Sequence, residues 1–162
     1  MDILDKKILD ILKEDARVCD IEIATMLNIA KEEVRQRIDN LEKSGVLIKY
    51  TTIVNNELAG NDYVVALIEV KVTPQTNHGF DSIANEIMRY EEVSSVYLMS
   101  GAYDLVVILE GKSLREVSSF VSEKLSVMEN VISTATHFIL KKYKSEGVVL
   151  DASQTRQREE LV

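Results

Sequence analysis

Apolar residues recur at helical spacing in three segments of the first 45 positions. In residues 2–15 they lie three or four positions apart, at Leu4, Ile8, Ile11 and Leu12. Residues 20–28 and 31–44 repeat this spacing, with Asp20 as the predicted N-cap of the second helix. Gly45 follows the third segment, in the place that favours a helix-ending glycine. Two short helices, a tight turn and a longer third helix are typical of a helix-turn-helix.

The pattern changes after the third helix. Short apolar runs at 46–48 and 51–54 predict two short strands, either a wing or a linker strand. Residues 55–62 (NNELAGND) are rich in turn-forming residues and poor in apolar ones. We therefore expect a linker at 55–62, between a first domain at 1–54 and a second domain at 63–147.

The second half alternates between strands and helices. YVVALIEVKV, starting at Tyr63, predicts a long strand, and VYLMSGAYDLVVILEG predicts two strands around a short turn. Residues 80–88 predict an amphipathic helix, residues 113–116 form a capping box that begins another helix, and 131–143 predict the last strand. The predicted inward positions of the helices are Phe80, Ile83, Ala84, Ile87 and Met88, then Leu114, Val117, Val121 and Leu125.

The resulting order, β-α-β-β-α-β, predicts an α+β fold with a ferredoxin-like sandwich in the second domain. Leu105–Leu109 is apolar at every position, and 64–68 nearly so. Two helices cover only one face of a four-stranded sheet, so the other face needs a cover as well. A second copy of the chain is the simplest cover, and we expect an obligate dimer. Residues 148–162 form a polar C-terminal tail, which is mobile or a minor oligomer contact.

Charge and composition restrict the partners and the compartment. The 162 residues carry 19 basic and 27 acidic side chains, a formal charge of −8, so any contact with DNA must come from a local surface. No apolar stretch approaches the roughly 18 residues that span a bilayer, and the charged N-terminus lacks the core of a signal peptide. The lone Cys19 fits a reducing compartment. These features predict a cytoplasmic protein without membrane contact.

Three segments together resemble the Lrp/AsnC (leucine-responsive, feast/famine) family of transcription regulators: LDKKILDILKEDAR, IATMLNIAKEEVRQRIDNLEKSGVL and YLMSGAYDL. The resemblance runs from Met1 to about Gly147. It implies a winged helix-turn-helix on double-stranded DNA and a sandwich domain that dimerises and stacks into octamers or similar assemblies. It also implies an amino-acid effector bound between dimers. Ala30 departs from the family, which usually has a serine or threonine capping the recognition helix; losing such a cap costs about 1 kcal/mol.

The third helix would be the recognition helix, and its outward arc holds the candidates for reading bases. Gln36 suits the N6/N7 edge of adenine, Glu32 could accept from cytosine N4, and Asn40 lies on the same arc. Arg37 lies near the buried edge, suited to a phosphate contact or to an intramolecular ion pair. The other phosphate candidates are Arg17, Arg35, Lys43 and Lys49. The helix is also acidic for a DNA-binding element, with Glu32, Glu33, Asp39 and Glu42.

In the family, a glycine and an aspartate in the turn between the second and third strands line the amino-acid site. Gly101 and Asp104 fall on that motif. The aspartate would pair with the α-ammonium group, and exposed N–H groups would bind the α-carboxylate. Thr134 and Thr136 match the family's paired threonines, and the side-chain pocket would be shaped by Leu98, Met99 and Tyr103. The residues alone also allow a structural interpretation: a turn glycine, an aspartate that bonds backbone N–H groups, and threonines that favour strands.

Two other classes remain open from the sequence. Sirohaem decarboxylases share the two-domain plan, but a polyanionic tetrapyrrole should require several histidines and arginines around the sandwich. The chain has only His78 and His137, and no motif for nucleophilic, metal or phosphate chemistry is present. We therefore expect no enzyme activity, metal or cofactor. An amino-acid sensor that no longer binds DNA is the second alternative, motivated by Ala30 and the acidic recognition helix.

Overall fold

The structure, a computed structural model, describes residues 1–74 and 79–150. His78 and the part of the predicted tail from residue 151 onward lie outside the described residues. The chain divides into two compact units, Met1–Thr52 and Ile53–Val162.

The first unit is built from three helices, α1 (Ile3–Glu14), α2 (Asp20–Leu27) and α3 (Lys31–Lys43). Their apolar faces meet in one core, as the helical spacing predicted. The buried residues of this core include Ile8, Leu12, Ile23, Ala24, Val34 and Ile38. The helix-turn-helix is therefore confirmed as the architecture of this unit.

The helix ends follow the sequence closely, with one correction at α2. Asp20 is the first helical residue, and Cys19, in extended conformation, is the N-cap; the Glu22 carboxylate accepts from the Cys19 N–H at 2.9 Å. Asn28, in the left-handed region with φ 53°, ends α2. Gly45 follows α3 with φ 72°, a conformation that glycine adopts without a steric penalty.

The two short strands predicted at 46–48 and 51–54 are not formed. The N–H groups of Val46 and Leu47 both donate to the Leu41 carbonyl at 3.0 Å, so this segment folds back onto the end of α3. Ile48 is 88% exposed and has no strand partner among the described residues. The prediction was wrong because an apolar run becomes a strand only where another strand bonds to it.

The second unit contains the βαββαβ order that the sequence predicted. Its elements are β1 (Val64–Val72), α4 (Asp81–Ile87), β2 (Val93–Leu98), β3 (Leu105–Gly111), α5 (Leu114–Phe120), a π-helical turn (Val121–Leu125) and β4 (Val131–Ile139). The sheet order is β2-β3-β1-β4, and all neighbours are antiparallel. This is the ferredoxin-like arrangement, and the α+β fold class is confirmed.

Three details of this unit differ from the prediction. β4 ends at Ile139 rather than Tyr143, because the last bonded pair joins Ile139 to Val65 and β1 begins only one residue earlier. Two short strands, β5 (Lys144–Ser145) and β6 (Val148–Val149), follow as a hairpin. Met88 and Leu114 are 55% and 57% exposed, because they lie at the ends of α4 and α5 rather than on the buried faces.

The sheet has two faces of different character. One face packs against the helices in a buried core that includes Ala66, Ile68, Val70, Leu105, Val107, Leu109, Ile83, Ile87, Val117 and Phe120. The second face carries Leu67 and Ile108, both half-buried, and Tyr97, which is 53% exposed. On the same face His137 Nε2 lies 3.1 Å from Glu69 Oε2. The sheet is thus apolar on both sides, as expected, while the described chain leaves part of its second face open.

Candidate functional site

Three exposed polar side chains follow one line along α3, opposite its buried face. Glu32, Gln36 and Asn40 are four residues apart, so they lie one above the other at one helical turn each. They line a cleft of about 840 Å³ beside the helix. The predicted base-reading residues therefore share one accessible surface.

Arg37 forms the intramolecular ion pairs that the sequence left open. Its Nη1 lies 2.7 Å from Asp2 Oδ2 and 2.8 Å from Asp5 Oδ1, and its Nη2 lies 2.9 Å from Glu33 Oε1. Asp2 and Asp5 also cap α1 reciprocally, each accepting from the other's N–H. These backbone bonds, followed by the Arg37 bonds, lower the pKa of both aspartates, and the three carboxylates raise the pKa of Arg37.

The other cations of the first unit stay accessible. The predicted phosphate contacts are all exposed and form no ion pair within the described part of the chain: Arg17, Arg35, Lys43 and Lys49. Lys31 shares these properties and was missed, although its charge at the first position of α3 was visible in the sequence. The unit Met1–Thr52 nevertheless holds nine basic and eleven acidic side chains. Its surface offers DNA a few separate cations rather than a broad positive patch.

The start of α3 confirms the departure at Ala30. Ala30 is the N-cap in extended conformation, and no side chain caps the helix. Glu33, at N3, offsets part of this loss because a carboxylate is favourable near a helix N-terminus. The same carboxylate holds Arg37, so it stabilises the helix in two ways.

Asp104, in the turn between β2 and β3, bonds to a neighbouring strand. Its Oδ2 accepts from the Val72 N–H at 2.9 Å, and its own N–H donates to the Val70 carbonyl at 3.1 Å. The last backbone pair between β1 and β3 joins Val70 to Leu105, so Val72 has no backbone acceptor on β3. The carboxylate therefore extends the sheet by one hydrogen bond beyond the ladder.

Gly101 lies in the same turn but shows neither property that would require a glycine. Its φ is not positive, and a Cβ added there would meet no atom within 4 Å. The turn is held by other contacts: the Met99 N–H donates to the Asp104 carbonyl at 2.8 Å, and Lys71 Nζ donates to the Ala102 carbonyl at 3.0 Å. The absence of a side chain at Gly101 therefore matters only if a group from outside the turn packs closely against its backbone.

The two threonines lie on β4, at the same end of the sheet as Asp104. Thr134 pairs with Val70 and Thr136 with Ile68, so both hydroxyls are on the face that packs against the helices. Thr134 Oγ1 lies 3.3 Å from Ser126 Oγ. Because Val70 pairs with Leu105 on its other side, β1 separates Asp104 from Thr134 by two strand spacings, about 10 Å.

The remaining effector candidates surround this turn without closing a cavity. Leu98 and Met99 are exposed, and Tyr103 is half-buried. Clefts of about 590 and 230 Å³ in this unit are lined by other residues. Within the described residues of one chain, the predicted effector residues thus form an open surface around the Asp104 carboxylate.

Comparison with known proteins identifies both units. A family model for a winged helix-turn-helix DNA-binding domain matches residues 1–48, and a model of the Lrp/AsnC ligand binding domain matches residues 65–149. The chain belongs to the Lrp/AsnC family of transcriptional regulators. YugG, an uncharacterized HTH-type transcriptional regulator of Bacillus subtilis (strain 168), is 48% identical to this regulator over 154 residues, which cover 94% of this chain and 92% of YugG.

Solved structures share the fold of this Lrp/AsnC regulator. The crystal structure of PH0061 matches it with a TM-score of 0.77 at 28% identity, over 91% of this chain and 98% of that one. The transcriptional regulator NMB0573 of Neisseria meningitidis, crystallised as a complex with L-Met, matches with a TM-score of 0.73 at 23% identity. That match covers 90% of this chain and 93% of the other. At this identity the second likeness concerns the fold.

The comparisons also bear on the enzyme alternative. YugG and other relatives above 30% identity are named HTH-type transcriptional regulators, which favours regulation over the tetrapyrrole chemistry considered above. Within residues 1–74 and 79–150, no group of three or more His, Cys, Asp or Glu side chains could hold a metal ion. No helix in those ranges is long and apolar enough to cross a membrane.

Proposed function

We propose that this Lrp/AsnC regulator binds operator DNA as an assembly of dimers and changes its DNA affinity when an amino acid binds at the β2–β3 turn. Residues 1–54 read the DNA, residues 63–147 form the dimer and bind the effector, and residues 55–62 connect them. The observation that carries the effector half is the Asp104 carboxylate, held at an open sheet end in a domain of the Lrp/AsnC ligand-binding type.

DNA reading is assigned to α3. Gln36 and Asn40 face outward from the helix, and Arg35, Lys31 and Lys43 supply separate charges for phosphates. Arg37 is left out of the phosphate contacts because its guanidinium is already bonded to three carboxylates. Because few cations are free, a single DNA-binding domain (a head) binds DNA weakly, and useful affinity requires several heads in one assembly.

The second face of the sheet supports dimerisation. Leu67, Ile108 and Tyr97 present an apolar surface that one chain leaves partly uncovered. The same face of a second copy would bury it, in the self-complementary manner of a two-fold dimer. Stacking of such dimers into an octamer would supply the missing walls of the effector site.

The effector site is assigned to the turn and to the adjacent end of β4. Asp104 would attract the α-ammonium group, exposed N–H groups around Gly101 would bind the α-carboxylate, and Thr134 and Thr136 would contribute hydroxyl groups. The L-Met complex of NMB0573 shows that a protein of this fold binds an amino acid. The effector can change DNA binding only through different affinities for two states of the assembly.

The experiment is fluorescence anisotropy with DNA from upstream of the protein's own gene, at two salt concentrations, with and without the twenty amino acids. We expect saturable, salt-sensitive binding that exceeds binding to random DNA and shifts with the mixture. Asp104→Asn should lose the shift while keeping basal DNA affinity, because the amide oxygen can still accept from Val72 but carries no charge. An unchanged shift in this folded variant would contradict the site.

The alternative is an amino-acid sensor that no longer binds DNA. It is favoured by the uncapped recognition helix at Ala30 and by the excess of acidic residues in the first unit. An amino acid that binds with micromolar affinity, together with DNA binding that shows no sequence preference on any fragment, would establish it.

A further inference from the structure

Two glutamates begin the recognition helix, and their surroundings differ. Glu33 accepts from Arg37 Nε at 2.9 Å and lies on the flank that faces α1. Glu32 points outward on the same line as Gln36 and Asn40, and it has no ion-pair or hydrogen-bond partner within the described ranges. Glu33 is therefore neutralised by Arg37 within the protein, whereas Glu32 is exposed on the surface that is proposed to contact DNA.

An unpaired carboxylate is costly next to DNA. Phosphates repel it, and most base edges in the major groove offer acceptors, such as N7 and O6 of guanine and O4 of thymine. A carboxylate accepts only, so among base edges it is satisfied by an amino group. The N4 amino group of cytosine is the donor that stands without an acceptor on its own base, whereas adenine N6 is beside N7.

We propose that Glu32 is a specificity-determining residue that requires cytosine at one position of each half-site. This rests on the proposed reading of DNA by α3. Glu32 acts by exclusion as well as attraction, because guanine and thymine offer its carboxylate only acceptors, and adenine places the acceptor N7 beside its amino group. Gln36 lies one turn further along, about 6 Å away, which corresponds to about two base steps. The cytosine should therefore lie about two base pairs from the position that Gln36 reads.

The test is selection of bound duplexes from a random-sequence library by the full-length protein, followed by sequencing. Wild type, Glu32→Gln and Glu32→Ala are compared with Glu14→Gln. Glu14 is the matched control, because it is exposed, lies at the end of α1, and its substitution changes the net charge by the same amount. Binding constants for the selected site and its single-position variants are then measured by anisotropy.

We expect wild type and Glu14→Gln to select the same motif, with cytosine at one position of each half-site. Both Glu32 variants should lose that preference while keeping the rest of the motif. Their affinity for the cytosine site should fall on the order of tenfold, and their affinity for variants at that position should rise. A motif identical in all four proteins would overturn the role of Glu32 and leave the DNA-binding function intact. No motif in wild type would overturn sequence-specific binding itself.

Discussion

At the scale of single residues, Arg37 links two helices of the first unit. Its guanidinium joins the first turn of α3 to the first turn of α1 through Glu33, Asp2 and Asp5. A fork of donors can satisfy several carboxylates at once, which a lysine cannot do in this planar arrangement. Arg37 therefore holds the first turns of α1 and α3 together, and its guanidinium is occupied by carboxylates.

Arg37→Met should lower the melting temperature at neutral pH, because three neighbouring carboxylates would lose their shared cation while the apolar stem is kept. Thermal unfolding followed by circular dichroism measures this. Lys13→Met is the control, since Lys13 forms only an exposed pair with Asp10 at 3.5 Å. A melting temperature that falls equally in both variants would show that the network adds nothing specific.

The same network predicts how stability depends on pH. The folded-state pKa values of Asp2 and Asp5 are lowered, so their contribution is fully present above the ordinary carboxyl pKa of about 3.9. It is lost as the pH falls through the lowered values. The difference in melting temperature between wild type and Arg37→Met should therefore shrink below about pH 4. A constant difference from pH 7 to pH 2 would contradict the assignment.

A substitution at Ala30 that supplies the missing N-cap should stabilise the protein. Ala30 already has the extended conformation of an N-cap, with φ −70° and ψ 144°. Ala30→Ser adds an acceptor for the free N–H groups of the first turn and should stabilise the first unit by about 1 kcal/mol. Chemical denaturation measures the gain. Ala30→Val, which adds bulk without an acceptor, should give none.

At the scale of elements, the Asp104 carboxylate adds one hydrogen bond to β1 beyond its last backbone pair with β3. Val72 is buried, and its N–H has the Asp104 carboxylate as its acceptor. Asp104→Ala should therefore destabilise the protein by about 1–3 kcal/mol, the usual cost of a buried donor left unsatisfied. Asp104→Asn should cost clearly less. Glu129→Ala, at an exposed position, controls for loss of a carboxylate, and equal stability of all three variants would refute the bond.

The hydrogen bond between Val72 and Asp104 shows which contacts of the candidate site could be predicted from the sequence. The helices and the four strands of the sheet were predictable because burial imposes its period on local residues, as in Val34 and Ile38 or along Leu105–Leu109. The donor that bonds to the Asp104 carboxylate was not predictable, because Val72 lies 32 positions away and the pairing register decides which backbone N–H is left free. The strands expected at 46–54 failed for the same reason, since strand formation depends on a distant partner.

The recognition helix shows the same division between local and distant information. Its outward arc followed from three buried positions, so Glu32, Gln36 and Asn40 were placed correctly. The sequence left two roles for Arg37, because Asp2 and Asp5 come from another helix. Residues that act alone on one helix face were thus predictable, and residues whose role depends on a second element were not.

At the scale of the whole molecule, the second face of the sheet is the proposed dimer interface. Tyr97 is 53% exposed there, and a buried aromatic residue is a common energetic centre of an interface. Tyr97→Glu should weaken dimerisation at least about tenfold, measured by sedimentation velocity over a dilution series. Met88→Glu is the matched control: Met88 is 55% exposed and lies at the end of a helix on the opposite layer. Retention of the dimer in Tyr97→Glu would place the interface elsewhere.

Dimerisation and DNA affinity should then be linked through charge. The first unit has nine basic and eleven acidic residues, so each head can neutralise only a few phosphates. The slope of log affinity against log salt is proportional to the number of neutralised phosphates, and a dimer with both heads bound has twice the number of one head. Tyr97→Glu, which leaves the DNA-reading residues unchanged, should therefore bind DNA more weakly and with about half the wild-type slope. Anisotropy at several salt concentrations measures both quantities. A weaker complex with the full wild-type slope would mean that both heads still bind, and that the dimer is held together by a surface other than the open face of the sheet.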